Sequence, residues 1–191
     1  MRIVAGELRG KAIAAPEGEG TRPTTDRVRE ALFSSLYSLC GGFDGAIVLD
    51  AFAGSGALGI EALSRGAAFA AFAESDAKAA KVLERNVRAC GLGADRATIL
   101  RRDVLRGLPK VSPQAFDLVF LDPPYAYEAA DVLKLVSSLS QNGLLAEGAI
   151  IVYEHDAKSA DSVSAALEEI GCDVRPSRKY GKTGVTIGIA G

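Results

Sequence analysis

The chain has 191 residues, 48% hydrophobic and 24% charged, enough for one globular domain with a real core, and its formal net charge of −2 gives no global pull on nucleic acid or anionic membranes. A single histidine, His155, and three scattered cysteines, Cys40, Cys90 and Cys172, leave little from which to build a histidine metal centre, a Ser-His-Asp machine or a structural zinc site. No apolar run approaches membrane-span length, and Met1-Arg2 leads into a polar, glycine-containing segment, so the expectation is a cytoplasmic protein with reduced thiols, no metal and no membrane partner.

Residues 2–5 and 11–14 read as short β-like pieces around Gly6 and Gly10, hence a small hairpin. Loop follows over residues 16–23. A helix should start at Thr24-Thr25-Asp26, whose oxygens can cap free N–H groups, and end at Gly41-Gly42. Its apolar stripe is Val28, Ala31, Leu32, Ser35, Leu36 and Leu39, which leaves Arg27 off the stripe and Arg29 on its flank, both partly exposed. The division expected is an N-terminal extension over residues 1–24 and a main domain over 25–191.

From residue 46 strands and helices alternate. Strands are expected at 46–51, 68–73, 97–100, 116–121, 149–153, 172–179 and 183–189. Helices are expected at 57–65, 76–90, about 127–140 and 159–170, with a short helical piece after Asp103. Repeated β-α units imply a mostly parallel sheet with helices on both faces. The closing strands, joined at Tyr180-Gly181-Lys182, read as a hairpin that adds one antiparallel strand.

The glycine-rich run from Asp50 to Gly59 lies between the first parallel strand and its helix. Glycines let backbone come close to a ligand, and the helix N-terminus offers free N–H groups, so Gly54-x-Gly56-x-x-Gly59 in this context reads as a nucleotide-type site. A pyrophosphate cofactor such as NAD would lie beside the Asp50 carboxylate, an unfavourable placement. S-adenosylmethionine carries an ammonium and a sulfonium instead, for which Asp50 is favourable. Glu74, at the end of the second strand, suits two ribose hydroxyls of either cofactor, and Asp103, ending the third, suits an adenine amino group. These features favour S-adenosylmethionine.

Asp122-Pro123-Pro124-Tyr125 follows the apolar run 116–121. Two prolines stop the strand and leave a rigid turn with an acid, free carbonyls and an aromatic ring at a strand's carboxyl end, where open α/β sheets bind ligands. The Asp122 carboxylate and the Pro123 carbonyl can hold the two hydrogens of a planar exocyclic amine and orient its nitrogen for in-line displacement. Tyr125 can stack on a base, which would have to be unpaired or flipped out.

Three stretches carry a resemblance: residues 21–30 (Thr-Arg-Pro-Thr-Thr-Asp-Arg-Val-Arg-Glu), the run from Asp50 to Ala67, and Asp122 to Tyr125. Together they resemble the bacterial RsmD family of 16S rRNA guanine-N2 methyltransferases, and the likeness runs from residues 2–6 to 179–183. It implies a class I, Rossmann-like methyltransferase fold of seven strands preceded by a hairpin extension that helps hold RNA. It implies a cofactor set of Asp50, Phe52, Gly54, Ser55, Gly56, Glu74, Asp103 and Val104, and Asp122, Pro123 and Tyr125 at the target guanine. Arg2, Arg9, Lys11, Arg22, Arg27 and Arg29 suit phosphate contacts, which position without specifying sequence. For Arg27 and Arg29 the alternative is charge pairing with Asp26 and Glu30.

The expected partner is 16S rRNA, within a partly assembled 30S subunit, bound by a monomer. The turn chemistry alone also permits a DNA adenine-N6 or protein glutamine methyltransferase. The glycine turn alone permits an NAD-dependent oxidoreductase, and a non-catalytic RNA-binding assembly factor is a further alternative.

Overall fold

The computed structural model describes residues 1–15, 26–112 and 114–191. The expected loop, the Thr24-Thr25 cap, Arg22 and the boundary between residues 24 and 25 lie outside the described residues. The chain forms two compact units, Met1–Arg102 and Asp103–Gly191.

The first unit contains α1 (Asp26–Cys40), β1 (Ile47–Asp50), α2 (Ala57–Ser64), β2 (Phe69–Ala73), α3 (Ala77–Ala89) and β3 (Ala97–Leu100). Parallel pairing sets Asp50 opposite Phe72 and Ala73 opposite Leu100, so the carboxyl ends of the three strands are level. All four residues of β1 are buried, and side chains alternate between faces, so both faces are covered. The second unit contains a short 3₁₀ turn (Val104–Arg106), β4 (Phe116–Leu121), α4 (Ala129–Gln141), β5 (Leu145–Asp156), α5 (Ala160–Glu169), β6 (Cys172–Tyr180) and β7 (Thr183–Ala190). The β4–β5 pair is parallel, and β7 runs antiparallel to both β5 and β6. The sheet is mixed and seven-stranded, in the order β3-β2-β1-β4-β5-β7-β6, with the expected hairpin supplying its one antiparallel strand.

The first fifteen residues make a small hairpin-like arm with an antiparallel bridge, Arg2 to Ala12, and cross-arm bonds from Ile3 N to the Lys11 carbonyl, Gly10 N to the Ile3 carbonyl and Ile13 N to the Met1 carbonyl. Such a segment has little stability of its own and depends on what it packs against. Ile3, Leu8 and Ile13 are buried, and α2 satisfies much of the arm's backbone. The Glu61 carboxylate accepts from Val4 N at 2.8 Å and Ala5 N at 3.0 Å, the Ser64 hydroxyl accepts from Leu8 N at 2.9 Å, and the Ser64 carbonyl accepts from Glu7 N at 2.8 Å. Gly6 makes this approach possible: a Cβ there would stand 1.7 Å from the Ser64 carbonyl oxygen.

The buried seam of α1 is Arg29, Leu32, Phe33 and Leu36, which corrects the expected stripe; Val28, Ala31 and Ser35 are half-buried and Leu39 is exposed. Arg29 is fully buried, not partly exposed. Its Nη2 donates to Asp26 Oδ1 at 2.8 Å and to the Arg2 carbonyl, and its Nε lies 3.5 Å from Glu61 Oε2. Glu61 also accepts from Arg65 Nε at 2.8 Å, and the Arg65 guanidinium lies 4.8 Å from the Phe33 ring centroid. A hydrophobicity period cannot register a charge whose counter-charge arrives from another helix. Glu61→Leu leaves two arm N–H groups without their acceptor and the buried Arg29 with Asp26 as its remaining counter-charge, and should cost ~2–4 kcal/mol in urea unfolding. A loss below ~1 kcal/mol would mean the arm is held by its apolar residues alone.

Candidate active site

Between β1 and α2 the chain turns through Gly54 (φ 53°) and Gly56 (φ 80°), and Gly56 is the N-cap residue of α2. Two carboxylates brace the turn. Asp50 is buried and its Oδ2 accepts from Gly59 N at 3.0 Å. Glu74 accepts from Gly54 N at 2.7 Å through Oε2 and from Asp76 N at 2.7 Å through Oε1. Each Glu74 oxygen keeps further acceptor capacity after one such bond, so the residue can still take two hydroxyls. No described protein atom lies within 4 Å of where a Cβ would stand on Gly54, whereas one on Gly56 would meet Leu83 Cδ1 at 2.4 Å. The first glycine therefore leaves an open approach to backbone, and the second serves the core.

Burial pushes the Asp50 carboxyl from an ordinary 3.8 up to about 7; the Gly59 N–H opposes the rise, and the nearby Glu74 carboxylate adds to it. A buried carboxylate with no cation against it favours its protonated form, and a cationic ligand would reverse that balance. Ser55 is buried and Phe52 half-buried.

In the second unit Asp103 caps the 3₁₀ turn by accepting from Leu105 N at 3.0 Å, and lies 3.5 Å from Arg106 Nε. Val104 is buried. Both oxygens of Asp103 therefore have local partners in this structure.

The Asp122 turn lies at the carboxyl end of β4. Leu121 is opposite Tyr153, and β5 continues beyond it through Glu154, His155 and Asp156, paired only with β7. This overhang and the turn wall a shallow, open recess of about 140 Å³. Pro123, Pro124 and Tyr125 line one side and Tyr153, Glu154 and His155 another. Pro123 is buried, Asp122 half-buried, and Tyr125 is 50% exposed, so its ring is available to a planar ligand. Burial, with the Glu128 charge adding, pushes the Tyr153 phenol up to about 12, which keeps it a hydrogen-bond donor. His155 is tied down: Nδ1 contacts the Asp156 carbonyl and Nε2 the Thr186 hydroxyl, each at 2.8 Å.

A family model described as conserved hypothetical protein 95 matches residues 1–189. The chain is 38% identical to ribosomal RNA small subunit methyltransferase D of Haemophilus influenzae over 155 residues, 81% of this chain and 78% of that protein. The chain belongs to the RsmD family. A solved structure of the Escherichia coli protein yhhF, described as a candidate methyltransferase, matches with a TM-score of 0.77 at 30% identity, covering 100% of this chain and 97% of that one. Magnesium protoporphyrin IX methyltransferase of Synechocystis, solved with bound S-adenosylmethionine, matches in fold alone, with a TM-score of 0.65 at 15% identity over 91% of this chain and 87% of that one. The fold is that of class I methyltransferases.

Within this RsmD-family chain the expected phosphate contacts divide. Arg2, Arg9, Lys11 and Arg27 are exposed, and Lys11 also donates to the Cys90 carbonyl at 3.1 Å. Arg29 is a correction: buried against Glu61 and Asp26, it braces the arm and has no surface to offer a phosphate. Other basic clusters are partly neutralised, Arg96 by Glu7, Arg101 by Glu84 and Arg175 by Asp173.

Sequence reasoning missed Asn86 of α3. Its Oδ1 accepts from Ala14 N at 2.9 Å, and its Nδ2 donates to the Ala14 carbonyl at 2.9 Å and the Ser55 carbonyl at 2.8 Å. One amide thus ties the arm to the glycine turn. The signal was a lone polar residue on the apolar face made by Leu83, Val87 and Cys90, and Glu61 gave the same signal on α2.

Because the folded-state pKa of Asp50 is raised, its contribution to stability is fully present below its unfolded value near 4 and is lost as pH rises through about 7. Thermal or urea unfolding of wild type against Asp50→Asn should show the wild type losing on the order of 3 kcal/mol relative to the variant between pH ~4 and ~7. Parallel pH profiles for the two proteins would place the ionisation elsewhere.

Proposed function

We propose that this protein transfers a methyl group from S-adenosylmethionine to the exocyclic N2 of a guanine in 16S rRNA, in the cytoplasm, as a monomer. The observation that carries the reading is the pair of turns within one RsmD-family chain. One is a glycine turn braced by Asp50 and Glu74 with an open approach at Gly54; the other is an acid-Pro-Pro-Tyr turn that walls a recess. The donor set of the first turn fits the methyl donor. Glu74 has acceptor capacity for ribose hydroxyls, and Asp50 has a proton to give up when an ammonium comes near. NAD fits less well, since a pyrophosphate would face that carboxylate.

When bound, S-adenosylmethionine supplies an electrophilic methyl on a sulfonium, and the C–S bond breaks as the new N–C bond forms, leaving S-adenosylhomocysteine. The protein's part is to hold the amine. In the proposed arrangement the Asp122 carboxylate and the Pro123 carbonyl accept the two N2 hydrogens. This pyramidalises the nitrogen and frees its lone pair, which in a flat base is delocalised into the ring. The nitrogen becomes acidic only after gaining the methyl, so no strong base is required; its proton passes to Asp122 or water. Tyr125, half exposed beside the recess, stacks on the flipped-out base and fixes its plane. Asp103 and Val104 are proposed to receive the adenine end, and Phe52, Ser55 and Gly56 to shape the wall of the methyl-donor site. Arg2, Arg9, Lys11 and Arg27 are proposed to meet phosphates.

The test is transfer of label from methyl-labelled S-adenosylmethionine to small-subunit particles, and to naked 16S rRNA, from cells lacking this protein, followed by mapping of the base. Methylation at a guanine N2 is the expected product; label on adenine, on protein or nowhere would overturn the reading. Asp122→Ala should lower turnover ~100-fold or more, and Tyr125→Ala should lower it in the same direction, while calorimetric affinity for S-adenosylhomocysteine changes by less than about threefold. Undiminished turnover in both variants would remove the Asp122 turn from the chemistry.

A further inference from the structure

Helix α3 has two opposed faces. Ala79, Ala80, Leu83, Asn86 and Val87 are buried, whereas Lys78, Lys81, Arg85 and Arg88 are all exposed. The four cations are spaced 3, 4 and 3 residues apart. At 100° per residue they fall within about 80° of arc and extend over roughly 15 Å of helix. None makes an ion pair or side-chain hydrogen bond with another described residue, unlike Arg96, Arg101, Arg106 and Arg175. Lys11 of the arm is fixed elsewhere, by its bond to the Cys90 carbonyl just past the end of the helix.

The arrangement works against folding. Neighbouring like charges at i,i+3 and i,i+4 repel one another, and Lys78 and Lys81 sit in the first turns, where the helix dipole disfavours positive charge. Within α3 itself the acid is Glu84, and it is engaged by Arg101. A surface that local electrostatics disfavours is repaid by a polyanion that neutralises several of its charges at once. We propose that the outer face of α3, Lys78, Lys81, Arg85 and Arg88, is a docking surface for the phosphate backbone of an rRNA segment. The choice of rRNA rests on the function proposed above. The stripe holds no aromatic ring to stack on a base and no acid to read a base edge, so it positions RNA without selecting its sequence.

The test uses the full chain with Lys78, Lys81, Arg85 and Arg88 together replaced by Ala, and a 16S rRNA transcript as probe. A second variant replaces Lys134, Lys158, Arg175 and Lys179 by Ala, the same change in net charge at exposed positions of the second unit. Binding is measured by filter retention between about 50 and 200 mM KCl. The α3 variant should bind at least tenfold more weakly at the lower salt, and the slope of log affinity against log salt should shrink by about 2–3, while the second variant keeps the wild-type slope. The α3 variant should also melt no lower than wild type, since repulsion has been removed.

An unchanged slope in the α3 variant, or an equal fall in the second variant, overturns the proposal. So does loss of binding to phosphatidylglycerol vesicles with RNA binding intact, which would assign the face to lipid. Methyl transfer by the wild type to small-subunit rRNA is run alongside. Transfer with an unchanged slope defeats the stripe alone. A reduced slope without transfer supports the stripe and defeats the proposed activity.

Discussion

The first unit depends on one buried carboxylate. Glu61 accepts two backbone N–H groups from the arm and lies against the guanidinium groups of Arg29 and Arg65, while being fully buried itself. Taking such a charge out of water is favourable only where several donors converge on it, and here they come from three segments: the arm, α1 and α2. Each is thereby located relative to the others, which apolar contacts alone would do less specifically. The helix that carries Glu61 is only eight residues long, and its first turn is capped by Gly56 of the glycine turn. The glycine turn and the arm's dock therefore both sit on one short helix.

Much of the fold was legible. The edges of β3 and β4 coincide with their expected ranges, because a run of apolar residues bounded by charge or proline has one reading as a strand. The C-terminal hairpin followed from Gly181 between two β-rich stretches, with φ at 67° in the turn. What failed was the face of α1. Periodicity placed Val28, Ala31 and Ser35 inward, and the helix turned instead to bury Arg29, because its partner Glu61 is 32 positions away in sequence and no local pattern links them. The length of β5 was also missed. The expected strand covered only 149–153, and the last residues of β5, Glu154 to Asp156, are polar, so the overhang that walls the recess rests on pairing with β7 and not on hydrophobicity.

The candidate site was legible as motif and opaque as mechanics. Gly54, Gly56 and Gly59 form one fingerprint in sequence, yet the structure gives them three reasons. Gly54 leaves backbone approachable, Gly56 takes a left-handed φ at the head of α2, and Gly59 lets α2 approach β2, where a Cβ would stand 2.3 Å from Phe72 Cε1. Only the first leaves open space beside the backbone. Likewise Glu74, read from sequence as a ribose acceptor, first closes the turn through Gly54 N and Asp76 N, so its orientation precedes any ligand. That prior fixing is what makes a carboxylate an effective acceptor, since no reorganisation remains when the ligand arrives.

Helix α3 joins these separate demands. Asn86 on its inner face holds Ala14 of the arm by two hydrogen bonds and the Ser55 carbonyl by a third, and the bond to Ser55 is buried away from competing water. A polyanion on the outer face would press on the same helix that fixes the glycine turn. Because the amide makes all three bonds from a single rigid group, a displacement of α3 cannot move the arm without also moving the turn. The arm and the glycine turn are thus joined through one helix that is polar at one buried point and cationic along the face away from it.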